Sequence, residues 1–340
     1  MGKIKTLHKL IRERKYRLIL SQLAKKIGFH FVPPYPSSLF IEPNNTCNLK
    51  CPLCVTGTGD MNRPKRFMKF EEFKQIIDQG KAHVKDIQLC NYGEPFLNKD
   101  IFRMIDYAVS KGIVVLTSTN GTFFRSEDIC KEVIRSGLQH LIITLDGADQ
   151  DTISKYRVGA DFNEVLNGYK LLVDTKRQLN SKTPTIELQF MVMRHNEHQN
   201  IKVKEIAQRL GVDMFCEKTI GLDYRNTALA REFLPTDLSE TRYLLDEDGT
   251  YSLKGKMYNK CNLIYSVCVI NSDGSVVPCC YDAYSHFIMG NVFEESLKNI
   301  WKGDKYRNFR KTLRKDRKSI SICNICSEGR YVISKQTKID

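Results

Sequence analysis

The sequence predicts an α/β protein: a partial (β/α)6 barrel of the TIM type, followed by a small cysteine-bearing C-terminal domain. Two observations carry this. From residue 38 onward, short apolar runs alternate six times with longer amphipathic stretches, the signature of parallel strands joined by outer helices. Beyond Gly221 the alternation stops, and a group of cysteines gathers between residues 261 and 326 instead. Six units fall short of the eight that close a barrel, so an open one is expected.

Strands are expected near 39–42, 87–90, 113–119, 141–145, 185–193 and 212–217, with helices near 69–81, 98–111, 126–136, 162–180 and 197–210. Runs such as residues 141–145 (Leu-Ile-Ile-Thr-Leu) are almost continuously apolar, as strands covered on both faces should be. Ahead of them, residues 3–27 read as a basic amphipathic helix with Ile4, Leu7, Ile11, Leu18 and Leu23 among its apolar positions. Prolines at 33, 34 and 36 end it. The expected division is an N-terminal extension over 1–36, the barrel over 37–221, a polar, irregular linker over 222–258, the cysteine domain over 259–333 and a tail over 334–340. Within 259–333, a hairpin is expected around Asp273-Gly274 and a helix near 294–315.

Composition narrows the class. An apolar fraction of 41% and no run near the roughly 18 apolar residues of a membrane span fit a soluble globular chain. No secretory signal is visible, so a cytoplasmic location is expected and the twelve cysteines read as ligands or free thiols rather than disulfides. The net charge of +14 is concentrated: residues 1–28 hold nine Lys/Arg against Glu13, and residues 298–318 hold ten against Asp304 and Asp316. Such stretches suit an anionic partner, or membrane-surface contact through the N-terminal helix, as well as plain solvated helix faces. Without interleaved aromatics they argue against a nucleic-acid module, which a closed zinc site would otherwise suggest.

Cys47, Cys51 and Cys54 follow directly on the first strand. Thiolates at this spacing on a tight loop reach three corners of one iron–sulfur cube and leave one iron open for a small ligand. The alternative is a zinc site completed by a distant Cys or His. Cys261, Cys279, Cys323 and Cys326 supply a second, closed set for zinc or a [4Fe–4S] cluster. Cys280 adjoins Cys279 and points away from it if the segment is extended. Cys90, Cys130 and Cys216 read as core residues, and Trp301 as a core anchor.

The Cys-x3-Cys-x2-Cys loop resembles the signature of the radical S-adenosylmethionine (SAM) superfamily, although Leu53 stands where that family usually has an aromatic residue. The resemblance implies that the open iron binds the amino and carboxylate groups of SAM, and that reduction yields methionine and a hydrogen-abstracting 5′-deoxyadenosyl radical. It extends to Gly93-Glu94-Pro95 after the second strand, where the family cradles the SAM amino group. Gly93 permits close backbone approach and Glu94 can accept from an ammonium. Thr144 and Asp146 end the fourth strand at the place of the family's Ser-x-Asp-Gly, and Arg157 is suited to the methionine carboxylate, or else caps a helix as an exposed side chain. Ser118 and Asn120 end the third strand as further pocket candidates, though turn formation explains Asn120-Gly121 as well.

The second cysteine set resembles a twitch domain, the short form of the SPASM domain, which implies one auxiliary [4Fe–4S] cluster. This resemblance also implies a radical SAM oxidoreductase needing a reducing partner such as flavodoxin or ferredoxin. Residues 1–36 are too short for the peptide-binding domain of peptide-modifying members. A carbohydrate-like small molecule, dehydrogenated or epimerised, is therefore the expected substrate, with a peptide or protein as the alternative.

Overall fold

A computed structural model describes residues 32–223, 225–238, 241–328 and 334–339. The expected N-terminal helix lies outside these residues. Among those described, no helix is long and apolar enough to cross a membrane.

Six parallel strands form the heart of the molecule: β1 (Ser38–Ile41), β2 (Asp86–Gln88), β3 (Val114–Thr119), β4 (His140–Thr144), β5 (Thr185–Val192) and β6 (Met214–Thr219). Each pairs in parallel with the next, in chain order. Between them run α1 (Val55–Thr58), α2 (Phe70–Gly80), α3 (Ile101–Ser110), α4 (Glu127–Arg135), α5 (Gln150–Ser154), α6 (Phe162–Gln178) and α7 (Asn200–Leu210). The expected partial (β/α)6 barrel is what the chain builds, with each long helix and strand within a few residues of its predicted place.

Leu39, Ile87, Val115, Leu141, Leu188 and Phe215 are fully buried on the strand face that the helices cover. Residues directly paired across neighbouring strands share a face. By that register the other face carries Phe40 beside Gln88, Ser118 beside Ile142, Thr144 beside Gln189 and Met191 beside Lys218. The concave inside of the barrel is therefore largely polar.

The C-terminal third is joined to this sheet. After α8 (Thr227–Phe233) and a hairpin of β7 (Tyr243–Leu245) and β8 (Tyr251–Leu253), the chain forms β9 (Val267–Ile270), which pairs in parallel with β1. β10 (Ser275–Val277) and β11 (Gly290–Asn291) extend the sheet antiparallel on that side. β12 (Ser334–Lys338) lies antiparallel on β6 at the other. The result is one sheet of ten strands.

Three expectations need correction. Residues 222–258 are not an irregular linker: α8 buries Ala230 and Phe233, and the β7–β8 hairpin buries Tyr243, Tyr251 and Leu253. Residues 334–338 are not a tail but an edge strand, polar because most of its side chains face solvent. The helix expected near 294–315 is two, α9 (Leu297–Lys302) and α10 (Asp304–Lys315), broken where Gly303 turns extended. The expected β9–β10 hairpin does form. Gly274 takes φ +81° there, and a Cβ would meet the Phe293 ring at 2.4 Å. Trp301 is fully buried, its Nε1 donating to the Pro33 carbonyl.

Candidate active site

The cysteine loop and the Gly-Glu-Pro loop are stitched together where β1 and β2 end. The Glu94 amide donates to the Thr46 carbonyl at 2.7 Å, and the Asn44 side chain donates to the Glu94 carbonyl at 2.8 Å. Gly93 sits in this crossing with φ +86°, where a Cβ would lie 2.5 Å from the Asn44 carbonyl oxygen. No other residue type fits that approach.

Glu94 is buried, and its carboxylate accepts from the Asn120 amide (2.9 Å), the Thr119 hydroxyl (2.8 Å) and the Phe96 amide (3.2 Å). Burial raises its pKa above the ordinary carboxylate range, with the three hydrogen bonds and Arg157 pulling it part of the way back. Pro95 opens the short turn of helix that this carboxylate caps. Asn120 ties the site together: its side chain donates to Asn48 at 2.9 Å and approaches the Cys47 sulfur at 3.7 Å.

Arg157 is not an exposed helix end. Its Nε donates to Asp146 at 2.6 Å, and its Nη1 reaches within 3.9 Å of the Cys51 sulfur. Asp146 is fully buried, its other oxygen accepting from the Met191 amide at 2.8 Å. Asp146 thus holds Arg157 in place rather than presenting a free carboxylate. Thr144 is buried at the end of β4, and Ser118 is half-buried on the polar inner face of β3.

The three thiols of the loop sense one another. Burial pushes Cys47 up to about 11, and the charges of Glu94, Cys51 and Cys54 push the same way. Burial raises Cys51 as well, against the pull of Arg157. The Leu49 amide donates toward the Cys47 sulfur at 3.4 Å.

In the C-terminal region, Cys261, Cys279, Cys323 and Cys326 converge on one cavity, also lined by Arg317 and Phe309. Burial raises Cys261, Cys323 (to about 12) and Cys326. Buried thiols gathered in this way resist ionisation unless a cation holds the thiolates, so the donor set fits a metal cluster. Among the described residues, no group of three or more His, Cys, Asp or Glu side chains is drawn tightly enough to hold a single metal ion. A cube asks for a wider setting, with thiolates on separate irons.

Cys280 corrects the extended-chain expectation. The chain turns here, the Asp282 amide donating to the Cys279 carbonyl at 3.0 Å, and the two neighbouring thiols interact. That contact raises Cys279 and lowers Cys280. Cys130 is core as expected. Cys90 and Cys216 are buried too, yet they sit on the inner face, with Cys90 within electrostatic reach of Lys218.

The two cysteine regions are held against each other. The Tyr92 hydroxyl donates to the Cys280 carbonyl, and Glu42 at the end of β1 accepts from Arg63 through both oxygens and from the Ser272 hydroxyl. Arg242 joins the Thr219 carbonyl at the end of β6 to the Ser327 hydroxyl. Sequence reading missed these connectors and the inner-face Gln88, Gln189 and Lys218. Only the strand register reveals which side they occupy.

Comparison with known proteins agrees with both regions. The profile of the Radical SAM superfamily matches residues 41–186, and that of SPASM, an iron–sulfur cluster-binding domain, matches residues 261–327. The AdoMet-dependent heme synthase of Methanosarcina barkeri is 26% identical over 306 residues, covering 82% of this chain and 85% of that protein. Mycofactocin maturase MftC of Mycolicibacterium smegmatis is 23% identical over 283 residues, 78% of this chain and 70% of the relative. In structure, SuiB of Streptococcus suis bound to S-adenosylmethionine superposes with a TM-score of 0.63 at 19% identity, over 97% of this chain and 83% of its own. SuiB bound to precursor peptide SuiA superposes with a TM-score of 0.62 at 17% identity, over 95% and 77%.

Proposed function

This chain belongs to the radical SAM superfamily, in its SPASM/twitch subgroup, and is an enzyme that takes SAM and [4Fe–4S] clusters; we propose that it acts on a peptide. The observation that carries the enzymatic reading is the stitched crossing of the two loops, which sets three thiols beside a buried carboxylate and a buried guanidinium. When bound, the cluster on Cys47, Cys51 and Cys54 supplies the electron that cleaves SAM. Glu94 would accept from the SAM ammonium, and Arg157, oriented by Asp146, would meet its carboxylate. Gly93 and Pro95 shape the loop around the ammonium, and Asn120 fixes Glu94 and the cysteine loop in register. Thr144 and Ser118 would line the remainder of the pocket. Cys261, Cys279, Cys323 and Cys326 would hold the auxiliary cluster.

The substrate would lie against the polar inner face, near Gln189 and Lys218. The fold match to SuiB, solved with a precursor peptide, supports a peptide there better than the carbohydrate-like molecule expected from the short N-terminal extension. A small molecule is the second reading, favoured by the similarity to a heme synthase. An auxiliary cluster held by Cys261, Cys279, Cys323 and Cys326 would suit an oxidoreductase reaction, by accepting the electron that a substrate radical gives up.

The test is deuterium transfer. The anaerobically reconstituted enzyme is incubated with SAM, a reductant and peptide or small-molecule fractions of a deuterated lysate. Deuterium in 5′-deoxyadenosine from the peptide fraction is the expected result. Label arising only from the small-molecule fraction would reject the peptide reading.

A further inference from the structure

A cationic face stands directly over the auxiliary cysteines, built from two stretches far apart in sequence. Lys256 and Lys260 flank the Tyr258 ring at 5.6 and 5.3 Å from its centroid, and Tyr258 is 52% exposed. The neighbouring Asn259 side chain donates to the Lys315 carbonyl at 2.8 Å and accepts from the Arg317 amide at 3.0 Å. Those two bonds fasten the loop to the C-terminal end of α10, where Lys311, Arg314, Lys315 and Lys318 are all exposed. Among the described residues none of these six cations is in a salt bridge.

Position gives the face its meaning. Lys256, Tyr258 and Lys260 line a solvent-open cleft of about 330 Å³ together with Cys261, Arg317 and a single carboxylate, Glu328, so three cations face one anion there. Cys261 and Arg317 also line the cavity of the four cysteines. The Arg317 guanidinium donates to the Lys260 carbonyl at 3.1 Å, so the loop backbone and the metal-ligand cavity share one side chain as their wall.

We propose that this face docks a small acidic electron-carrier protein over the auxiliary cluster. The inference rests on the auxiliary-site reading given above. Unpaired cations around an exposed aromatic steer an anionic partner and anchor it. A ligand of the cluster in the wall of the same cleft makes an electron carrier the fitting anion. The step is the transfer of one electron, with no bond made or broken: the auxiliary cluster, once it holds the electron given up by the substrate radical, would be re-oxidised and the oxidised carrier reduced. A nucleic acid would use the same charge. This face offers one exposed aromatic, however, rather than the series on which bases stack.

The experiment measures binding of oxidised flavodoxin, as the acidic carrier, to the full-length holoprotein at several salt concentrations. It also follows the same exchange driven in reverse, the bleaching of cluster absorbance by photoreduced flavodoxin. The variants are K256E/K260E and R314E/K315E, with K202E/K204E on α7 as a control of equal charge change. Affinity is expected to fall steeply with salt, and about tenfold or more in either face variant. The control should stay within about twofold of wild type. Bleaching by flavodoxin should slow in parallel, while bleaching by dithionite is unchanged. Face variants that bind and accept electrons as wild type overturn the proposal. So do face variants that lose only the binding of an RNA oligonucleotide. Iron content separates the two readings: if the wild type lacks the auxiliary cluster while charge reversal still weakens binding, the cluster assignment fails and the docking face stands.

Discussion

The Tyr92 hydroxyl donates to the Cys280 carbonyl at 2.7 Å, joining the loop of Gly93-Glu94-Pro95 to the segment that carries Cys279. Tyr92 also lies within electrostatic reach of Cys54 and Cys279, one from each cysteine group. It is therefore one strut between the two sites, beside those made by Glu42 and Arg242. Tyr92→Phe keeps the ring and removes the bond, so a loss of about 1 kcal/mol is expected. Chemical denaturation measures it, and an unchanged iron content shows that neither cysteine group has come apart.

Cys279 lines the four-cysteine cavity, and Cys280 does not appear in its wall. Cys279→Ala is expected to remove about four of about eight irons per chain after anaerobic purification, and Cys280→Ala none. An iron and sulfide assay on both variants decides. Loss of iron from Cys280→Ala alone would exchange the roles of these neighbours.

Glu94 should make SAM binding depend on pH. Its pKa in the free protein is raised by burial, whereas a bound ammonium favours the carboxylate. Above the raised pKa the carboxylate is already present and affinity is full. As pH falls through it, Glu94 takes up a proton and affinity declines, so binding there releases a proton. Calorimetry in buffers of different ionisation enthalpy detects that release. Glu94→Gln should bind at least about tenfold more weakly at neutral pH and lose the release.

Asp146 compensates a buried charge. Removing it by Asp146→Ala strands the Arg157 guanidinium and should destabilise the fold by about 3–5 kcal/mol. Arg157→Lys keeps a charge but loses the planar fork, so it should spare stability more than it spares SAM affinity. Urea denaturation and equilibrium SAM binding, run side by side, separate the two effects.

The barrel was legible because its strands are short runs rich in apolar residues, set regularly between helices that keep their period over several turns. The spacing of Cys47, Cys51 and Cys54 marked the first candidate site in the same way, being local in sequence. What stayed hidden depends on pairing between distant segments. Nothing in Val267–Ile270 announces that it lies beside Ser38–Ile41. The hairpin of β7 and β8 went unread because each strand is only three residues long, too short for a period to show within a polar stretch. Cys280 escaped because an extended chain and a turn place its thiol on opposite sides. Lys218 lies one residue beyond the strand expected over 212–217, and only the register with Met191 places it on the inner face.

Both flanks of the six-strand barrel are completed by late sequence. β1 is covered by Val267–Ile270 and β6 by Ser334–Lys338. On a translating ribosome, the barrel strands therefore emerge with two open edges, and the first stretch made waits longest for its neighbour. Exposed edges recruit other chains. For this protein the hazardous interval in biosynthesis falls between completion of β6 and the arrival of β9 and β12. Chaperone dependence should be greatest then, rather than while the cysteine sites are being filled.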